Sequence, residues 1–98
     1  MPKHCSGKTI LLIEDDNAML TVIQTELTKA GACVLTAENG QRGLEVALAE
    51  HPDLISLDLL MPVLDGLGFL KKLREDVWGQ TAKVLILTSV EQLKKVEE

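Results

Sequence analysis

Pro52-Asp53-Leu54-Ile55-Ser56-Leu57-Asp58-Leu59-Leu60-Met61-Pro62-Val63-Leu64-Asp65-Gly66 joins a helix breaker, an apolar run, a carboxylate and a turn in one stretch. Leu54 to Leu57 is too short for a helix and lacks the polar alternation of a half-exposed strand. It suits a strand covered on both faces, as in the interior of a parallel sheet. Asp58 stands at the carboxyl end of that strand. Met61 to Gly66 reads as a loop, because Pro62 removes a backbone donor and Asp65-Gly66 is a turn pair.

On either side of this stretch, strand-length apolar runs alternate with helical periodicity. Thr9 to Ile13 predicts a first buried strand, and Asn17 to Ala30 a helix whose apolar stripe is Leu20, Ile23, Leu27 and Ala30. Gly31 closes that helix. Ala32 to Ala37 predicts a second strand. Asn39 caps a second helix that runs to Glu50, with Leu44, Ala47 and Leu48 inward. After the loop, Leu67, Leu70 and Leu73 predict a third helix ending near Trp78-Gly79, and Lys83 to Thr88 a fourth strand. Ser89 with Gln92 has the form of a capping box for a fourth helix. A β-α-β-α-β-α-β-α order implies an α/β fold: an open, doubly wound parallel sheet with right-handed crossovers. Residues 1–8 are expected to be an N-terminal tail, and residues 9–98 a single domain.

The chain has 98 residues, is 46% hydrophobic and carries a net charge of −5. With one Phe, one Trp and no Tyr, its core must be aliphatic. The negative charge argues against nucleic acid as a partner, since phosphate backbones call for clustered Lys and Arg. Lys71-Lys72 and Lys94-Lys95 read as solvated helix faces. Cys5 and Cys33 form no metal-ligand spacing and are expected to be reduced thiols. No apolar run reaches the roughly 18 to 20 residues of a membrane span, and the first residues lack a signal-peptide pattern. A cytoplasmic location without membrane contact is expected.

In open α/β sheets, ligands bind beyond the carboxyl ends of the strands. The first strand ends in Glu14-Asp15-Asp16, the third in Asp58 and the fourth in Thr88-Ser89. Carboxylates that converge raise the cost of ionising one another. A hard divalent cation with oxygen ligands removes that conflict, and magnesium usually takes one or two carboxylates plus a phosphoryl oxygen. Each residue also has a plainer role available: acids in a first helical turn suit the helix dipole, which alone would explain Asp15 or Asp16.

Three blocks, Ile10-Leu11-Leu12-Ile13-Glu14-Asp15-Asp16, the stretch from Pro52 to Gly66, and Val84-Leu85-Ile86-Leu87-Thr88-Ser89, resemble the signatures of the response-regulator receiver (CheY-like) domain of two-component signalling. The resemblance runs from Thr9 onward. It implies a flavodoxin-like sheet of order 2-1-3-4, and a function as a phosphorelay receiver rather than an enzyme acting on other substrates. Asp58 matches the phospho-accepting aspartate. Asp15 matches the acid that binds Mg2+ directly, Glu14 the one that acts through water, and Leu60 the position whose backbone carbonyl is a metal ligand. Thr88 matches the switch hydroxyl, and Ser89 a position that favours small residues. Pro62 and Gly66 look structural. The implied partner is a sensor histidine kinase or a histidine phosphotransfer protein.

The family pattern continues with a fifth strand, a lysine at its end and a fifth helix, which this sequence does not match. Phosphoryl transfer and switching are therefore expected to be impaired, one sheet face to be partly bare and the fourth strand to be an edge, with a homodimer expected through that edge or that face. Two other functions compete. One is a receiver-derived scaffold that binds magnesium and partners without signalling, distinguished by whether Asp58 is phosphorylated. The other is a magnesium-dependent phosphatase of the haloacid-dehalogenase type, which needs an acid where this chain has Leu60.

Overall fold

The structure, a computed structural model, describes residues 7–58 and 63–87, with the backbone alone at 58, 63–65 and 87. Its elements are β1 (Thr9–Ile13), α1 (Asn17–Lys29), β2 (Cys33–Ala37), α2 (Gly40–Glu50), β3 (Leu54–Asp58), α3 (Val63–Glu75), a 3-10 turn (Gly79–Thr81) and β4 (Val84–Leu87). All pairings are parallel and the sheet order is β2-β1-β3-β4. The α/β class and the order expected from the sequence are both observed. Because β2 and β3 flank β1 on opposite sides, right-handed crossovers place α1 and α2 on opposite faces. The chain therefore reverses its winding between β1 and β3.

Leu11, Ile13, Leu35, Ala37, Ile55 and Leu57, taken from alternate strand positions, meet Ala47, Phe69 and Leu73 in one buried cluster. This period-two selection identifies the sheet face that α2 and α3 cover. Gly43 lets α2 lie close to that face: a Cβ there would collide with the Ile13 side chain, which is itself fully buried. Gly31, at φ 98°, follows the α1 C-cap in the left-handed region that glycine adopts without strain. No residue of α1 is fully buried, so this helix is held by a half-buried stripe of Leu20, Ile23 and Leu27.

Several expectations are corrected. The loop predicted over Met61 to Gly66 is helical from Val63 onward, so Asp65-Gly66 lies inside α3 and not in a turn. A turn pair is a local preference, and the packing of Phe69 and Leu73, one helical turn apart, outweighs it. That same phase turns Leu67 outward, 53% exposed, so the inward stripe is Phe69, Leu70 and Leu73. Leu48 is also exposed, because the inward side of α2 runs through Gly40, Gly43, Leu44 and Ala47. The third helix ends at Glu75, before Trp78, and the 3-10 turn follows it. Cys33 is disulfide-bonded, which corrects the expectation of a reduced thiol; Cys5, the chain's only other cysteine, lies outside the described residues. The fourth helix and Lys94-Lys95 also lie outside them.

The end of the sheet where the strands begin is tied together by side chains. His51 caps α2 in the left-handed conformation at φ 48°, and its ring stacks on Trp78 at 4.3 Å and 6°. Arg74 Nη1 donates to Gly79 O (2.7 Å) and Ala82 O (2.8 Å), fastening the 3-10 turn that delivers β4. Among the described strands β4 is an edge, with Leu85 50% and Ile86 43% exposed. The expected bare face is met in part, at exposed Leu85 and at half-buried Ile10 and Leu54 on the same side of the sheet. Leu12 and Ser56, on the face opposite the α2/α3 cluster, are buried.

Overpacking against Ile13 gives a direct test of the α2 contact. In urea denaturation Gly43→Ala is expected to lose about 1–3 kcal/mol. Ile13→Val in the same chain should recover part of that loss, because valine lacks the Cδ1 atom that meets the new methyl.

Candidate functional site

Parallel register decides which residues meet at the carboxyl edge of the sheet. Ile13 pairs with Leu57, so the next step sets Glu14 level with Asp58 on the neighbouring strand, roughly 4.8 Å away by strand spacing. Asp58 in turn pairs with Leu87, the residue before Thr88. The edge of β1, β3 and β4 thus gathers Glu14, Asp15 and Asp58. Leu60, Thr88 and Ser89 lie outside the described residues.

The three acids after β1 have three different environments. Glu14 is 4% exposed, and its Oε1 accepts the Asp16 N–H at 3.0 Å. Its own N–H donates to Ala37 O on β2 at 3.0 Å, which fixes the backbone as it leaves the sheet. Asp16 is the N-cap of α1, its Oδ1 accepting from the Ala18 and Met19 N–H groups at 2.9 and 3.1 Å. That occupies orphan donors of the first turn and accounts for Asp16 structurally. The sequence carries the signal, an Asp directly before a helical stripe. Asp15 is exposed and makes no hydrogen bond or ion pair among the described residues. Of the three, it alone is left to face a ligand with a free carboxylate.

This donor set fits a hard cation. It offers carboxylate oxygens, no sulfur or imidazole, and a buried acid beside an exposed one at the edge to which β3 brings Asp58. Among the described residues no group of three or more acids, histidines or cysteines is complete enough to hold a metal ion. The expected set draws on the Asp58 side chain and on Leu60, neither of which is described.

The response regulator receiver domain model matches residues 10–98. The chain belongs to that family. It is 41% identical over 69 residues to the alkaline phosphatase synthesis transcriptional regulatory protein PhoP of Bacillus subtilis, covering 70% of this receiver and 29% of the relative. It is 38% identical over 85 residues to the DNA-binding dual master transcriptional regulator RpaA of Synechocystis, covering 87% of the chain and 35% of the relative. The receiver thus spans about a third of the length of these curated relatives. Among solved structures, the receiver domain of a Pseudomonas aeruginosa sensor histidine kinase, with magnesium in its active-site cleft, superposes at TM-score 0.84 with 29% identity, over 95% of this chain and 76% of that one. Chemotaxis response regulator CheY4 of Vibrio cholerae superposes at 0.82 with 29% identity, over 94% and 78%. The shared architecture is the CheY-like, flavodoxin-like one. No helix among the described residues is long and apolar enough to cross a membrane.

The division of labour between the acids can be measured. Thermal or urea unfolding of Asp16→Ala should show a loss of about 1 kcal/mol, the usual cost of an N-cap. Asp15→Ala should leave stability within about 0.5 kcal/mol, as an unpartnered surface group does.

Proposed function

We propose that this receiver accepts a phosphoryl group on Asp58 in a magnesium-dependent step, from the phosphohistidine of a sensor kinase or a histidine phosphotransfer protein. The observation that carries the proposal is the register that sets Glu14 level with Asp58, with Asp15 unpartnered beside them. Asp15 is assigned to bind the cation directly, Glu14 to hold it through water, and the Leu60 carbonyl to complete the protein ligands. Magnesium, when bound, offsets the charge on the carboxylates and on the phosphoryl oxygens. The Asp58 carboxylate attacks phosphorus in line: its O–P bond forms as the N–P bond to the donor imidazole breaks, and that nitrogen keeps the electron pair and takes a proton. The Thr88 hydroxyl then donates to a phosphoryl oxygen, and Ser89 leaves room for the group. Chemistry of this kind acts on the chain itself, as befits a signalling domain in the cytoplasm and not an enzyme with turnover on other substrates. Leu60 speaks against a phosphatase of the haloacid-dehalogenase type.

Treatment with acetyl phosphate and magnesium should add one phosphoryl group by intact-mass spectrometry, and none to Asp58→Asn. Asp15→Asn should weaken magnesium binding on the order of ten- to a hundredfold, read from amide shifts of residues 14–16. Magnesium affinity unchanged in Asp15→Asn would overturn the metal assignment. A chain that binds magnesium but gains no phosphoryl group would be the scaffold and not the receiver.

The exposed pair Leu85 and Ile86 on the β4 edge supports a second property, a homodimer that buries this strand. Sedimentation at rising concentration should show self-association that Leu85→Glu abolishes. A single monomeric species throughout would dismiss it.

A further inference from the structure

Cys33 opens β2, 4% exposed and disulfide-bonded, and Cys5 is the one other cysteine of the chain. The backbone that precedes β1 is docked beside it. The Cys33 N–H donates to Lys8 O at 2.8 Å, and Cys33 pairs with Thr9 across β1 and β2. Gly7 lies against the turn that leaves α1. A Cβ at Gly7 would collide with Gly31 O, so only glycine allows this approach.

These contacts are made by the main chain and do not involve the S–S bond. They fix Gly7, and Ser6 alone separates Gly7 from Cys5. Two residues span roughly 7 Å at full extension, which bounds how far Cys5 can stray from Gly7. Disulfide-bonded cysteines have Cα atoms roughly 4.4 to 6.8 Å apart. The second thiol is therefore tethered within reach of the first when the bond is open, and closure is an intramolecular step at high effective concentration. The open state is provided for as well. Cys33 Sγ stands 3.4 Å from Gly7 O, where a thiol can donate, so opening the bond leaves the buried sulfur with a polar neighbour.

We propose that Cys5 and Cys33 are a reversible redox pair that exchanges with small disulfides of the glutathione type and, when oxidised, fastens the N-terminal segment to β2. In a reducing compartment such a disulfide is transient and redox-sensing, not a permanent staple. Because Cys33 is buried, exchange begins at Cys5. The Cys5 thiolate attacks one sulfur of glutathione disulfide; a mixed S–S bond forms, and one glutathione leaves as a thiolate with the bonding pair. The Cys33 thiolate then attacks the Cys5 sulfur, and the second glutathione leaves in the same way. Two protein thiols are oxidised, one glutathione disulfide is reduced to two thiols, and these take up the two protons. The pair stands where β1 and β2 begin, at the end of the sheet opposite Glu14 and Asp15, so it is separate from the phosphoryl chemistry proposed above.

The whole chain, equilibrated in graded ratios of reduced to oxidised glutathione, acid-quenched, unfolded and alkylated with N-ethylmaleimide, is read by intact mass. Reducing buffers should give two alkylations, and oxidising buffers a chain two hydrogens lighter with none. Cys33→Ala should instead retain one glutathione, on Cys5, and Cys5→Ser none. Gly7→Ala, which pushes the segment off Gly31 O, should need at least about tenfold more oxidised glutathione for half-conversion. The oxidised chain should melt at least about 5 °C above the reduced one, and the midpoint of Cys5→Ser should not respond to the buffer. Disulfide-linked dimers as the main oxidised product, a persistent glutathione adduct on the unsubstituted chain, or full alkylation in the most oxidising buffer would each overturn the proposal. So would half-conversion of Gly7→Ala at the unsubstituted ratio, or equal melting of the oxidised and reduced chains.

Discussion

The pairing of β3 directly against β1 is the constraint on which the remaining structure depends. β1 is interior, with β2 on one side and β3 on the other, so it is paired along both edges and its Leu11, Leu12 and Ile13 are covered on both faces. A run such as Ile10-Leu11-Leu12-Ile13 has no polar position to give to solvent, and only an interior parallel strand satisfies it. Because side chains alternate with a period of two, a slip of one residue against β3 would turn Leu11 and Ile13 away from the α2/α3 cluster. The register is thus held by burial on the same strand that ends in the acids.

That coupling joins stability to chemistry. Glu14 follows Ile13, and Asp58 follows Leu57, so the packing that aligns the two apolar residues also sets the two acidic residues level on neighbouring strands. The acids repel one another, and the structure limits this by giving them different duties. Asp16 is spent on the α1 N-terminus, Glu14 is turned inward onto the Asp16 N–H, and Asp15 stays in solvent. A cation at this edge would meet a partly ordered set of oxygens, with one carboxylate unengaged.

The opposite edge is built on different physics. There the His51–Trp78 stack and the Arg74 bonds to two carbonyls connect the turns leading into β3 and β4. Two aromatic rings and one guanidinium thereby hold segments that carry little apolar surface of their own.

Much of this was legible in the residues. The alternation of apolar runs and helical stripes determined the α/β class, and β1, β2, β3, the α1 terminator Gly31 and the α2 cap Asn39 fall where local chemistry predicts them. The receiver motifs pointed to the carboxyl edge of the sheet, and the family match agrees with them. Local signals misled where two of them conflicted. Asp65-Gly66 reads as a turn, yet the burial of Phe69 and Leu73 extends α3 through it, and the same phase exposes Leu67. The inward face of α2 was decided by how closely Gly43 approaches Ile13, a distance that no spacing rule contains. Which of the other two acids is buried and which remains free also required the tertiary structure, because Glu14 and Asp15 are equivalent carboxylates until the exit of the chain from β1 sets their directions.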